Sequence, residues 1–264
     1  MEIIGYFVIL CIGIVLGSIG AGGSMLAIPV LVYVFSIGVE TATAYSLFLV
    51  GTTSLTGAIL KQKAQMVSLR MSLFFGIPSI IGSFVSRKWL IVAIPEIILT
   101  TNSFTVTKGK LLLGVFAIMM ITSSVMLLLR RKTPIQTDAT ARPGLLMLSG
   151  ITTGLVAGLI GAGGGFLIIP ALLLFARLPF AMATGTSLLI IAANSMLGFC
   201  GDIFNRSIDW PFLVMLTALS LAGVTLGIRW QSNVSSGLMP HRAFAVFTLL
   251  VAIVILIVEV TGVC

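Results

Sequence analysis

Two glycine-rich runs, Gly20-Ala21-Gly22-Gly23-Ser24 and Gly161-Ala162-Gly163-Gly164-Gly165, carry the clearest capacity for chemistry in this chain, although neither holds a charged side chain. Each glycine costs about 1 kcal/mol in a helix interior relative to alanine. Gly20, Gly22 and Gly23, like Gly161, Gly163, Gly164 and Gly165, are therefore expected to interrupt helices. Where a helix restarts, at Ser24 or Gly165, its first N–H groups have no intrahelical acceptor and the helix dipole adds partial positive charge. That combination favours an anion, and the absence of side chains lets a ligand approach the backbone closely. Tight helix crossing is the competing use of small residues in a membrane. Two matched runs, each leading into a proline at Pro29 or Pro170, favour the binding site.

Hydroxyl groups form a second constellation. Thr43 and Ser46 open the segment after the first run, and Thr184, Thr186 and Ser187 open the segment after the second. Two turns deeper, Thr53-Ser54 matches Asn194-Ser195. Hydroxyls and amides donate hydrogen bonds to an oxyanion without placing a full charge in the pocket. Ser46, Thr186, Ser187 and Asn194 thus join Ser24 and the glycines as expected substrate-binding residues. The same side chains would also serve as interhelical glue.

Other chemistries find little support. Neither glycine run has the G-x-G-x-x-G spacing or the strand-helix-strand context of a dinucleotide site, and no P-loop lysine follows. Cys11, Cys200 and Cys264 show no metal-ligand spacing and no disulfide framework, so no catalytic residue, metal or cofactor is expected. Proton relays are marked by acids inside the membrane, and here Lys61, Asp202 and Glu259 read as segment ends. Asp202 reads as an external surface charge, His241 as a cytoplasmic loop residue and Cys200 as an inert buried thiol. A passive anion channel lined by the same backbone donors is one alternative function. An intramembrane sulfur-relay protein using Cys200 and His241 is another.

The elements that must position these residues follow from composition. The chain is 58% hydrophobic and 8% charged, against roughly 25% charged in a soluble domain, so it belongs in a bilayer. Residues 1–20 carry Glu2 and no Lys or Arg, which fits a first membrane segment better than a signal peptide. The net charge of +8 reports loops retained in the cytoplasm rather than a nucleic-acid partner. Apolar stretches fall at 3–20, 24–36, 42–60, 71–86 and 110–129, then at 144–162, 165–176, 183–200, 211–228 and 243–262. Residues 1–129 and 144–264 form two halves of about five segments, joined by a basic linker at 130–143.

Lys and Arg near membrane ends stay inside, which places the linker, Lys61, Lys63 and Arg70 in the cytoplasm and residues 202–209 outside. The loop 87–110 would be external despite four basic residues and one acid. Residues 24–36 reach about 20 Å as helix, short of the ~30 Å hydrocarbon core. Such a piece is broken or re-entrant, and its non-helical backbone requires a protein-lined cavity.

The two halves repeat one another at an offset of 141 residues. Ala42-Thr43-Ala44-Tyr45-Ser46-Leu47 falls on Ala183-Thr184-Gly185-Thr186-Ser187-Leu188, and Ser54, Gly57, Gly82 and Trp89 fall on Ser195, Gly198, Gly223 and Trp230. An odd number of segments per half inverts the second copy. The expected fold is an all-α integral membrane protein of two inverted repeats, with broken or re-entrant helices at the glycine motifs and a site at the repeat interface. No oligomeric state follows.

The paired G-x-G-G-(S/G)-x-x-x-x-P runs and the Ala-Thr-x-x-Ser-Leu stretches resemble the sulfite exporter TauE/SafE family along essentially the whole chain. The resemblance implies a multi-pass inner-membrane protein that moves sulfite, sulfonates or related organosulfur anions. It carries over no catalytic residue, and binding roles transfer only to the motif positions above. Ser24 stands where the second run has Gly165, so the two sites need not be equivalent. An inside-negative potential expels an anion with about 2.3 kcal/mol per 100 mV, so an exporter can dispense with a proton-carrying carboxylate. The expected function is export of a small sulfur-containing anion by alternating access.

Overall fold

Large apolar side chains stand exposed on the outside of this bundle, while its mainly apolar inside also takes in many small hydroxyl side chains. The computed structural model describes residues 2–19, 24–90, 93–95, 97–101, 104–129, 143–160, 164–176, 178–203, 208–233, 246 and 249–257. In chain order its helices are α1 (Glu2–Ile19), α2 (Ser24–Tyr33), α3 (Val39–Lys63), α4 (Leu69–Val85), α5 (Lys108–Leu129), α6 (Pro143–Ile160), α7 (Gly165–Phe175), α8 (Phe180–Asp202) and α9 (Trp210–Asn233). A further helical stretch covers 249–257. The described residues are nearly all helical, and each expected apolar segment lies on a helix over most of its described residues.

Helix α4 shows the pattern of burial. Leu73, Ile77, Ile81 and Phe84 recur at helical spacing and are each more than half exposed, while Phe75, Ser79, Gly82 and Ser83 on the other face are buried. Only lipid makes that arrangement favourable. Among the described residues, four helical stretches are long and apolar enough to cross a membrane: Val39–Lys63, Leu69–Leu90, Ala181–Asp202 and Trp210–Arg229. At 10 and 11 residues, α2 and α7 are too short to span. This agrees with the expectation of broken or re-entrant pieces.

The loop 87–110 is more ordered than its sequence suggested. Helix α4 runs on as a π-helical turn, Ser86–Leu90. An antiparallel hairpin follows, with β1 (Ile97–Thr101) paired to β2 (Phe104–Thr107).

Glycines set the closest helix contacts. In the seam between α1 and α9, Gly13 lies against the Ser220 carbonyl, Gly17 against that of Val224 and Gly223 against that of Leu10. In the seam between α4 and α6, Gly154 lies against the Ser79 carbonyl, Gly158 against that of Ser83 and Gly82 against that of Ile151. Each of these three contacts in the first seam recurs 141 residues away in the second. The order of partners makes each of these pairs parallel. By contrast α3 and α8 are antiparallel: a Cβ at Gly57 would sit 3.1 Å from Leu188, and one at Gly198 would sit 3.3 Å from Leu47. Leu47, Leu49 and Val50 from α3 and Ile190, Ile191 and Phe199 from α8 form the centre of the main apolar core.

Candidate functional site

The antiparallel α3–α8 pair carries most of the expected polar residues, and it strings them along the membrane rather than gathering them in one pocket. Gly57 faces Leu188 and Leu47 faces Gly198, so Ser46 and Ser187 stand about 12 residues of helix apart, roughly 18 Å. Three levels result.

At one end, a turn closes α3 and covers the start of α8. The Gln65 N–H donates to the Gln62 carbonyl and the Met66 N–H to that of Lys61, both at 3.0 Å, with Gln65 in the left-handed conformation at φ 56°. This is a Schellman cap. It lays the Met66 carbonyl on Gly185 and directs the Ser68 N–H to Thr186 Oγ1 at 3.0 Å. Thr186 thus holds this turn, and Ser187 Oγ donates to the Thr184 carbonyl at 2.8 Å. Beneath the turn lies Lys61, only 4% exposed, whose Nζ donates to Thr184 Oγ1 at 3.3 Å. Hydropathy counting ends the apolar segment at Leu60, yet the helix continues through Lys63 and buries the lysine.

At the middle level Thr53, Ser54, Asn194 and Ser195 are all buried. Asn194 Nδ2 donates to Ser79 Oγ of α4 at 2.8 Å, while Asn194 Oδ1 and the hydroxyls of Ser54 and Ser195 have no hydrogen-bond partner among the described residues. At the far end, Ser46 Oγ is likewise buried without a partner. There Arg87 forms an ion pair with Asp202, their side chains only 12% and 18% exposed. Asp202 is therefore a paired, largely buried acid rather than the surface charge its loop position suggested. Asp202→Asn would remove the negative charge that answers the guanidinium, and a loss of about 1 to 3 kcal/mol is expected. Thermal unfolding in detergent measures this, and an unchanged midpoint would show that the pair adds nothing.

Of the first glycine run, Gly20, Gly22 and Gly23 lie outside the described residues, as do Gly161 and Gly163 of the second; Ser24 opens α2. Gly164 is described and buried. It caps α7 in the left-handed conformation, at φ 70°, and its carbonyl accepts from the N–H groups of Leu167 and Ile168. Gly165, also buried, begins the helix. Leu16, one turn before the end of α1, clusters with Ala58 and Leu188, which brings the end of α1 to the Lys61 level.

Cys200 is exposed, not buried, because Gly198 and Phe199 take the inward face of α8. His241 lies outside the described residues. A cleft of about 310 Å³ opens near Lys63, lined by Leu55, Ile59, Leu69 and Leu189 among others. Its lining is mostly apolar and includes none of the expected site residues. Among the described residues, no group of three or more His, Cys, Asp or Glu could hold a metal ion.

Apolar helices of membrane-crossing length, two short helices opening at glycine breaks, and a polar line buried along one crossing define a polytopic membrane transporter. The chain belongs to the sulfite exporter TauE/SafE family, which it matches over residues 6–255. It is 28% identical over 225 residues to the probable membrane transporter protein YdhB of Bacillus subtilis, covering 85% of this chain and 88% of that one. A probable membrane transporter protein of Xylella fastidiosa is 25% identical over 251 residues, with coverage of 93% and 91%. One from Methanocaldococcus jannaschii is 27% identical over 236 residues, with coverage of 84% and 83%. No solved structure matches the chain.

Proposed function

We propose that this protein exports a small sulfur-containing anion, such as sulfite or a sulfonate, across the inner membrane by alternating access. One observation carries the reading: buried polar atoms with no partner among the described residues run along α3 and α8 through a mainly apolar bundle. An unsatisfied buried polar group costs about 1 to 3 kcal/mol, so a row of them is a standing cost that a passing solute or its water can relieve. Hydroxyl donors suit an oxyanion. Family membership supports sulfite or a chemically related anion as the cargo.

The recurring contacts support two inverted repeats, residues 1–129 and 144–264, joined by the linker 130–143. Gly13 on Ser220 and Gly154 on Ser79 are related by an offset of 141, and so are Gly57 on Leu188 and Gly198 on Leu47 with the partners exchanged. The antiparallel sense of α3 and α8 fits inversion. In this reading the Lys61 end faces the cytoplasm, with the basic linker, and the Arg87–Asp202 end faces outward. The backbone donors of Gly22, Gly23, Gly163 and Gly164 take the anion at the two breaks, and Ser46 and Ser187 orient it on either side of the centre.

Vesicles loaded with labelled sulfite, sulfate, taurine or sulfoacetate test this directly. At least one of these anions is expected to leave faster than from protein-free vesicles, with saturation and counterflow, and to accelerate when the interior is made negative. No protein-dependent efflux of any of the four would overturn the exporter reading. Flux that ignores the imposed potential would remove the electrical drive.

A further inference from the structure

Lys61 is a buried charge for which the exporter reading above has no role. Its ammonium has three donors, and one is used on Thr184 Oγ1. That hydroxyl itself donates to the Ala181 carbonyl at 2.8 Å, so among the described residues a neutral group is all that answers the charge. No described carboxylate pairs with it. The described acids Glu2, Glu40, Asp202 and Asp209 all lie at the opposite end of the bundle. Glu40 is about 30 Å away along α3. Asp202 is taken by Arg87, and Glu40 pairs with Lys108 at 3.4 Å. An uncompensated ion in such a place costs several kcal/mol.

The repeat sharpens the point. The position 141 residues beyond Lys61 is Asp202. Matched places at the two ends of the α3–α8 pair therefore hold charges of opposite sign, and among the described residues only the acid has a charged partner. Around the Lys61 end stand the exposed Lys63 and Arg70, a basic rim that concentrates anions. Thr186 and Ser187 follow within a turn of Thr184 on α8, and Ser187 Oγ donates to the Thr184 carbonyl.

We infer that Lys61 is the fixed countercharge for a small oxyanion held between the ends of α3 and α8, beside Thr184. This site deepens the exporter reading and rests on it only for the class of anion. Two donors on a single buried ammonium without an acceptor among the described residues suit a sulfonate or sulfite oxygen pair. The same chemistry would accept the phosphate of a lipid headgroup, and the test separates the two.

The test uses the full chain purified in neutral detergent, with thermal unfolding measured with and without sulfite, sulfoacetate, or phosphatidylglycerol. Sulfite or sulfoacetate is expected to raise the midpoint of the native protein and of Lys61→Arg. Lys61→Met is expected to melt above the native protein without anion, and to lose the anion-dependent rise. Lys61→Gln carries the same loss of response if the methionine variant fails to accumulate. An undiminished rise in Lys61→Met or Lys61→Gln would overturn the inference, as would a native protein that responds only to phosphatidylglycerol or to nothing. In loaded vesicles, KM for the exported anion should rise about tenfold or more in Lys61→Met. An unchanged KM would sink this site and leave the exporter standing. Lys61-dependent binding without any efflux would sink the exporter and leave this site standing.

Discussion

Gly164→Val is expected to abolish anion efflux while the protein still inserts in the membrane at near-normal abundance. Gly164 holds φ 70°, and its carbonyl starts α7 by accepting from Leu167 and Ile168. A left-handed conformation costs a residue with a Cβ about 1 to 2 kcal/mol, and more when the side chain is branched at that atom. The added Cβ would also run into that of Ala157 on α6. Relief requires the turn to change, which moves the first N–H groups of α7 away from where they can meet an anion. Insertion depends on the apolar length of the segments, and valine does not shorten them. Efflux from vesicles, set against the amount of protein in the membrane fraction, measures the effect. Efflux near the native rate would remove the second glycine run from the mechanism. Gly164→Asn combined with Ala157→Gly offers a control, because asparagine tolerates this conformation and the smaller neighbour makes room. That double variant should recover part of the efflux.

The second large effect falls on stability. Gly154→Leu would drive a Cβ into the Ser79 carbonyl, with the Ser79 Cα and carbonyl carbon each 2.7 Å away. Backbone cannot rotate out of the way as a side-chain tip can, so α4 and α6 must separate. A loss of about 3 kcal/mol or more is expected, at or above the upper end of overpacking costs. Gly13→Leu, which meets the Ser220 carbonyl in the other seam, should lose a similar amount. The seams share no residue, so the two losses should add to within about 0.5 kcal/mol. Thermal unfolding of both single variants and the double variant checks this. A midpoint within a degree of the native value in either single variant would show that the seam does not hold the bundle.

Much of this architecture is legible in the sequence because its signals are compositional or periodic. The membrane class follows from the near-absence of charge, and the helix breaks from paired glycine runs, and both survive errors of a few residues in any boundary. What was missed depends on three dimensions. Lys61 reads as the end of an apolar stretch because hydropathy registers the charge and not the turn that folds over it. Ser46 and Ser187 are equivalent in the repeat and so look like partners, yet antiparallel helices carry equivalent residues apart. The seams had a readable signal in the spacings Gly13-x-x-x-Gly17, Gly150-x-x-x-Gly154-x-x-x-Gly158 and Gly223-x-x-x-Gly227, which mark close helix approach in membranes. The hairpin had one too: Thr-rich stretches flank Asn102-Ser103, a turn-favouring pair.

The two glycine seams also impose an order of events on biosynthesis. Gly13 meets its partner Ser220 only after 207 further residues have been added, which at about 5 to 20 residues per second takes roughly 10 to 40 s. For that interval α1 stands among lipids with its groove uncovered. Its custody falls to the insertion machinery, and any delay in elongation lengthens the time in which a stray neighbour can occupy the groove.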